Sequence, residues 1–253
     1  DMEGSRGLGD VYKRQMYSNK QRKLILQLNK KKFRESNKLF VAEGKKVVSE
    51  LISADWSFRM LFSTDDNFHK KAKLIKEQEM KKITHFKTPS PVLGVFELPV
   101  EKKILAEPLT IAVDGVKDPG NLGTIIRLCD WFGLSELFCS YDTVDSFNPK
   151  VIQASAGSIV RVRCHYFKDL AESLQLLKKP IIGATMKGES VYSTKLIEKA
   201  SYVFGSEANG ISKYLITKLN DQISIPQFSS DLIKPESLNA VSYTHLTLPT
   251  MDS

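Results

Sequence analysis

The chain has 253 residues, of which 42% are hydrophobic and 26% charged, with a formal net charge of +8. That composition suits a globular protein of one large or two small domains, and no apolar run approaches the roughly 18 residues needed to cross a membrane. Cys129, Cys139 and Cys164 are odd in number and lack CxxC spacing, and His69, His85, His165 and His245 are scattered. A disulfide framework or a metal site is therefore not expected, and with no secretory signal visible the expected setting is the reducing cytoplasm.

The positive charge is concentrated. Residues 16–88 carry 18 Lys and Arg against 8 Asp and Glu, whereas residues 89–253 carry 16 against 18. This asymmetry points to a polyanion-facing module joined to a near-neutral one, although a solvated lysine-rich surface has the same composition.

Residues 1–15 have neither helical nor strand period, and Met16 is the expected natural start. A basic amphipathic helix is predicted over 17–32, with Leu24, Ile25 and Leu28 on one face. A strand over 39–42, a helix over 45–54, a strand over 59–63, a lysine-rich helix over 69–80 and strands over 83–86 and 92–98 follow. Residues 99–108 form a charged connector and the best boundary. From Leu109 onward strands (110–114, 136–139, 160–166, 181–186, 202–204, 222–225) alternate with helices (122–132, 149–155, 169–178, 193–199, 213–219). Strands that are apolar along most of their length, alternating with helices, predict a largely parallel α/β sheet. At the far end, Ser237-Leu238-Asn239-Ala240 reads as the first turn of a helix, but residues 241–253 are rich in Thr and carry Pro249, a poor continuation. Residues 1–15 and 241–253 are expected to be non-native ends, with the natural C-terminal helix missing.

Three segments carry chemistry. In the first, Asp118-Pro119-Gly120 turns after a strand, Asn121 is read as a helix N-cap, Gly123 permits close backbone approach and Arg127 follows on the helix. A guanidinium there can hold a phosphate or polarise a hydroxyl. The GNLG run matches neither GxGxxG nor GxxxxGK[ST], which argues against dinucleotide or P-loop binding. In the second, Phe204-Gly205-Ser206 leaves a strand and meets Glu207 at its carboxyl end, where open α/β sheets bind ligands. In the third, Ile225-Pro226 ends a strand and Ser237 and Asn239 open the helix. Taken singly, each also fits an ordinary helix cap or ion pair.

Together and in this order, the three segments resemble the signature of the SpoU (TrmH-like) RNA 2′-O-ribose methyltransferases of the SPOUT superfamily. The resemblance covers nearly all of residues 16–240. It implies an α/β fold: a parallel-sheet methyltransferase domain with a trefoil knot (108–240), preceded by a small α/β substrate-binding domain (16–99). It further implies a homodimer that uses S-adenosylmethionine to methylate a ribose 2′-hydroxyl in structured RNA, rRNA or tRNA. By motif match, Arg127 would activate the hydroxyl or hold the adjacent phosphate. Asn121 and Glu207 would position that arginine and the ribose, and Ser237 and Asn239 would complete the site. Backbone around Gly205, Ile225 and Leu238 would hold the cofactor, with Thr185 beside it, and Lys30, Lys31, Lys32 and Arg34 would meet RNA. Arginine is a poor base because its pKa exceeds about 12. Either the site lowers that value, or Arg127 acts electrostatically and a phosphate or water takes the proton. The 227–236 loop is longer than in many family members. The alternatives are a non-catalytic RNA-binding protein with the same fold, which the complete residue set argues against, and a knotted methyltransferase acting on a base.

Overall fold

The computed structural model describes residues 17–100, 103–105 and 107–226, which fall into two units divided between Leu98 and Pro99. In the first, Ser18 opens α1 (Asn19–Gln27) with a reciprocal cap. Its Oγ accepts from the Gln21 amide at 3.1 Å, and Gln21 Oε1 accepts from the Ser18 amide at 2.8 Å. Instead of running to residue 32 as predicted, the helix stops and the chain resumes as α2 (Lys31–Asn37). The cause is Arg34, whose Nη1 donates to the Leu28 and Asn29 carbonyls at 2.8 and 2.9 Å. With those carbonyls satisfied by a side chain, the helix end can be buried.

The chain continues through β1 (Leu39–Glu43), α3 (Lys45–Ser53), β2 (Phe58–Ser63), β3 (Lys73–Leu74), α4 (Glu77–Met80) and β4 (Val92–Glu97). Gly44, at φ +109°, makes the sharp entry from β1 into α3. The sheet order is β1-β4-β2-β3, antiparallel except for β2 with β3. Ile25 and Leu28 pack with Val41, Phe62, Met80, Leu93 and Val95 in the core. The predicted helix over 69–80 survives only as α4. Lys73–Leu74 instead pairs with the edge of β2, and Ile75 is buried. The predicted strand over 83–86 is a turn held by Glu43, which accepts from Thr84 Oγ1 at 2.5 Å and from the His85 amide at 2.7 Å. Ile83 is buried there without belonging to a sheet.

The second unit runs β5 (Thr110–Asp114), α5 (Pro119–Trp131), β6 (Glu136–Ser140), α6 (Pro149–Ala154), β7 (Arg163–Phe167), α7 (Leu170–Gln175), β8 (Ile181–Ser190), β9 (Ser201–Gly205), α8 (Lys213–Ile216) and β10 (Asp221–Ser224). The sheet order is β10-β8-β9-β5-β6-β7, and every pairing is parallel. From β5 the chain builds outward through β6 and β7, then crosses to the other side for β8, β9 and β10. The order therefore reverses between β5 and β9. Every residue of β5 and β6 is buried, as expected of strands covered on both faces.

Gly123 lets α5 approach α6: a Cβ there would lie 2.4 Å from that of Ala154. A 3-10 turn at Ser158–Val160 delays the start of β7 relative to the prediction. The predicted helix over 193–199 is absent. The Tyr202 hydroxyl accepts from the Ile197 amide at 2.9 Å and donates to its carbonyl at 3.0 Å, fixing that stretch as a loop. The three cysteines are free thiols. Burial raises the pKa of Cys129 and Cys139 and keeps both protonated. Among the described residues no helix is long and apolar enough to cross a membrane. The expected ends, the knot-closing helix, Ser237, Leu238 and Asn239 lie outside the described residues.

Candidate active site

An open cleft of about 260 Å³ lies at the carboxyl ends of β5 and β9. The strand order reverses there, and open α/β sheets bind ligands at such points. Two loops form most of its wall, residues 114–118 after β5 and 206–210 after β9, with Ser212 and Asp142.

The first loop leads into α5. Its N-cap is Asp118, whose Oδ1 accepts from the Asn121 amide at 2.9 Å, and Pro119 occupies the first turn. Asn121 is thus in the first turn rather than at the cap as predicted, and its side chain is left for other partners. It donates from Nδ2 to Glu207 Oε1. That bond joins two of the predicted motifs across the switch point.

The second loop is shaped by glycine. A Cβ on Gly205 would lie 2.0–2.4 Å from the backbone of Gly210 and Ile211, so only glycine allows the loop to fold back. Ser206 and Gly210 close it with two backbone hydrogen bonds, Ser206 to Gly210 at 3.1 Å and the reverse at 2.8 Å. Gly210 turns the chain at φ +64°. Asp114 Oδ2 accepts from the Ser212 amide at 2.8 Å, tying the end of β5 to the exit of the loop.

Arg127 is exposed on α5. It stands six residues beyond Asn121, about 9 Å along the helix and a third of a turn round, and it does not line the cleft. Thr185 lies where β8 stops pairing with β9, and its Oγ1 donates to Gln222 Oε1 at 2.9 Å. Here β8 bulges: Gln222 pairs with Gly183 but Ile223 with Glu189. Ile225 follows β10 at the same edge of the sheet.

In the first unit Lys30 and Lys32 are exposed, while Lys31 lies 3.8 Å from Glu35. Arg34 corrects the prediction. It is 2% exposed and committed to backbone carbonyls, so it supports the basic turn instead of meeting RNA.

Lys117 and Asp142 also line the cleft, although neither was predicted. Lys117 Nζ donates to Asp142 Oδ2 at 2.6 Å, and Ser140 Oγ donates to Asp142 Oδ1 at 2.6 Å. The lysine and serine contacts hold the Asp142 carboxyl below its usual pKa. Its place two residues beyond the carboxyl end of β6 was the available signal. Among the described residues no group of three or more His, Cys, Asp or Glu side chains could hold a metal ion.

Residues 108–246 match the SpoU rRNA Methylase family and residues 19–94 the MRM3-like substrate binding domain. Among curated proteins the chain is 26% identical over 230 residues to the 23S rRNA (guanosine(2553)-2′-O)-methyltransferase RlmP of Bacillus subtilis, covering 84% of this chain and 88% of that protein. A solved structure from Porphyromonas gingivalis, assigned to the TrmH family of RNA methyltransferases, is 34% identical with a TM-score of 0.80, covering 91% of this chain and 96% of that one. The AdoMet-bound rRNA methyltransferase of Sinorhizobium meliloti is 25% identical with a TM-score of 0.76, covering 90% and 92%. A family match over more than half the chain, laid on a parallel sheet whose switch point carries the bonded Asn121 and Glu207, makes this chain a member of the SpoU rRNA methylase family.

Proposed function

We propose that the protein transfers the methyl group of S-adenosylmethionine to a ribose 2′-hydroxyl of rRNA or tRNA. The observation that carries this reading is the Asn121–Glu207 hydrogen bond at the switch point, which unites the motif after β5 with the motif after β9. The cleft's donor set fits the cofactor: Asp114, Asp118, Asp142 and Glu207 outnumber Lys117, a balance that favours a sulfonium cation over a phosphate. Gly205, Thr185 and Ile225 border the edge where its adenosine and methionine parts would be held, with Leu238 as the further expected contact. When bound, the cofactor supplies an electrophilic methyl on a positively charged sulfur.

The remaining work falls to the protein. A ribose hydroxyl is a weak nucleophile at neutral pH, so it must be aimed along the line of transfer and its proton given a destination. Glu207, held by Asn121, accepts from the ribose and fixes its orientation. Arg127 supplies a cation for the neighbouring phosphate, and the proton leaves to that phosphate or to water. Ser237 and Asn239 complete the constellation. Lys30, Lys31 and Lys32 meet the RNA backbone in the first unit. The protein works in the cytoplasm as a homodimer with a C-terminal trefoil knot. Trp131, 85% exposed at the end of α5, is an apolar surface that a second copy would cover. A monomer in sedimentation at micromolar concentration would remove the dimer.

Arg127→Ala tests the assignment. Methyl transfer should fall at least ~100-fold while calorimetry shows cofactor affinity within about twofold. Full activity in this variant would refute the role.

A further inference from the structure

We propose that Tyr141 and Tyr192 stack bases of an unpaired RNA stretch on either side of the nucleotide being methylated, an inference that rests on the methyl-transfer function proposed above. The two side chains are 60% and 63% exposed, and neither lines the cleft. Their places follow from the register of the sheet. Val113 pairs with Cys139 and Asp114 with Gly205, so Ser140, Asp114 and Gly205 stand level. On the other side Gly183 pairs with both Val203 and Gln222, which brings Ser224 and its partner Ser190 to the level of Gly205. Tyr141 directly follows Ser140, and Tyr192 stands two residues beyond Ser190. Both therefore sit at the carboxyl edge of the sheet, one on each side of the switch point between β5 and β9. Three strand-to-strand steps separate β8 from β6, a span of about 14 Å.

Both rings are carried by braced segments. The Tyr166 hydroxyl accepts from the Ser146 amide and donates to the Val144 carbonyl, both at 2.7 Å, and the Val144 amide donates to the Val116 carbonyl at 2.9 Å, which fixes the loop after β6 as a shelf. After β8, the Ser190 carbonyl accepts from the Ser193 and Thr194 amides, both at 3.0 Å, so Tyr192 rides on a tight turn. A base that lands on a ring held this way costs little further ordering. Cations for the phosphates are close in the chain: Lys150 follows the first shelf, and Lys187 and Lys195 bracket Tyr192, all three exposed. The nearest acids are already engaged, Asp142 by Lys117 and Glu189 by the Thr194 hydroxyl at 3.2 Å. Exposed aromatic faces among lysines suit unpaired nucleic acid, whose bases stack on the rings while its phosphates meet the ammonium groups. A duplex keeps its bases stacked on one another and offers no such faces. Neighbouring stacked bases lie about 3.4 Å apart. The wider gap between the tyrosines thus leaves room for the target nucleotide to turn its ribose towards Asn121 and Glu207.

The test uses the whole protein with a short unstructured RNA oligonucleotide and with the duplex it forms with its complement. Filter binding at several salt concentrations compares the parent chain with Tyr141→Ala, Tyr192→Ala and the two Tyr→Phe variants. Each alanine should weaken single-strand binding roughly 5- to 100-fold and leave duplex binding unchanged. The salt slope should stay as it was, because stacking releases no counterions. Phenylalanine should restore the affinity, and cofactor affinity should stay within about twofold throughout. Unchanged single-strand affinity in both alanine variants would overturn the proposal, as would an equal loss for the duplex. Loss of a dimer in sedimentation with RNA affinity intact would also overturn it, by assigning the rings to a second copy. Methyl transfer to rRNA and tRNA transcripts is read separately. An unchanged KM for RNA in both alanine variants would overturn the stacking role and leave ribose methylation standing. Stacking by a folded, cofactor-binding protein that transfers no methyl group would overturn the enzyme reading and leave the RNA surface standing.

Discussion

Glu207 reaches the site only because Gly205 lets its loop fold back against Gly210 and Ile211. Replacing Gly205 with Ala would push a methyl into backbone, which cannot yield as a side chain can. The expected cost is roughly 1–3 kcal/mol of stability, with methyl transfer lost as Glu207 moves away from Asn121. Thermal unfolding and activity measured on the same preparation check this; an active, equally stable Gly205→Ala protein would show that the loop tolerates the change. At this scale Asn121, Glu207 and Gly205 could be picked out as short-range features of turns, whose residue types carry their own signal, and the fold brings Asn121 and Glu207 together. Lys117 with Asp142 was not legible, because 25 residues separate them and only the parallel register of β5 and β6 brings their loops together. Arg34 was misread for a related reason. A run of lysines and arginine is uniform as sequence, and only the end of α1 decides which member turns inward.

Among the elements, strands and the helices beside them were read well, since buried parallel strands leave continuous apolar runs. Two of the failures share one cause. Residues 69–76 and 83–86 are shaped by distant partners, an edge of β2 and the Glu43 carboxylate, whereas 193–199 is held as a loop by the Tyr202 hydroxyl, five residues beyond Ile197. Local propensity does not contain that information. The same polar contacts make the first unit sensitive to pH. His85 Nε2 bonds to the Ile25 carbonyl at 2.9 Å near the end of α1. Burial lowers the His85 pKa; the Ile25 contact opposes this and the Arg34 charge reinforces it. The unfolded chain therefore takes up its proton first as pH falls. The His85 contribution is whole above about 6.5 and is lost as pH drops through the depressed folded value. Glu43, raised by burial, shifts in the opposite sense in a more acid range. Hydrogen exchange of residues 17–98 should show stability falling from pH 7.5 to 5.5, with a shallower fall in His85→Gln. Identical slopes would assign the effect elsewhere.

For the whole molecule, the uneven charge and the fold converge on RNA. The basic excess lies within residues 16–88, and the parallel sheet with its acidic cleft lies beyond. Reversing Lys30, Lys31 and Lys32 to Glu should weaken RNA binding and flatten its salt dependence, because fewer counterions are released. Filter binding at several salt concentrations measures this. An unchanged affinity and slope would remove these lysines from the interface, while cofactor binding stays as a control. The alternating α/β plan was legible from periodicity. The reversal of strand order between β5 and β9 was not, since sequence order says nothing about which side of a sheet the chain returns to.

The most direct measurement is the chemical position of the methyl group. The protein is incubated with unmodified rRNA and tRNA transcripts and labelled S-adenosylmethionine, and the digest is resolved by mass spectrometry. The account predicts a 2′-O-methylated nucleoside whose 3′ phosphodiester resists alkaline cleavage. A methyl carried on the base, with that linkage still alkali-labile, would contradict it.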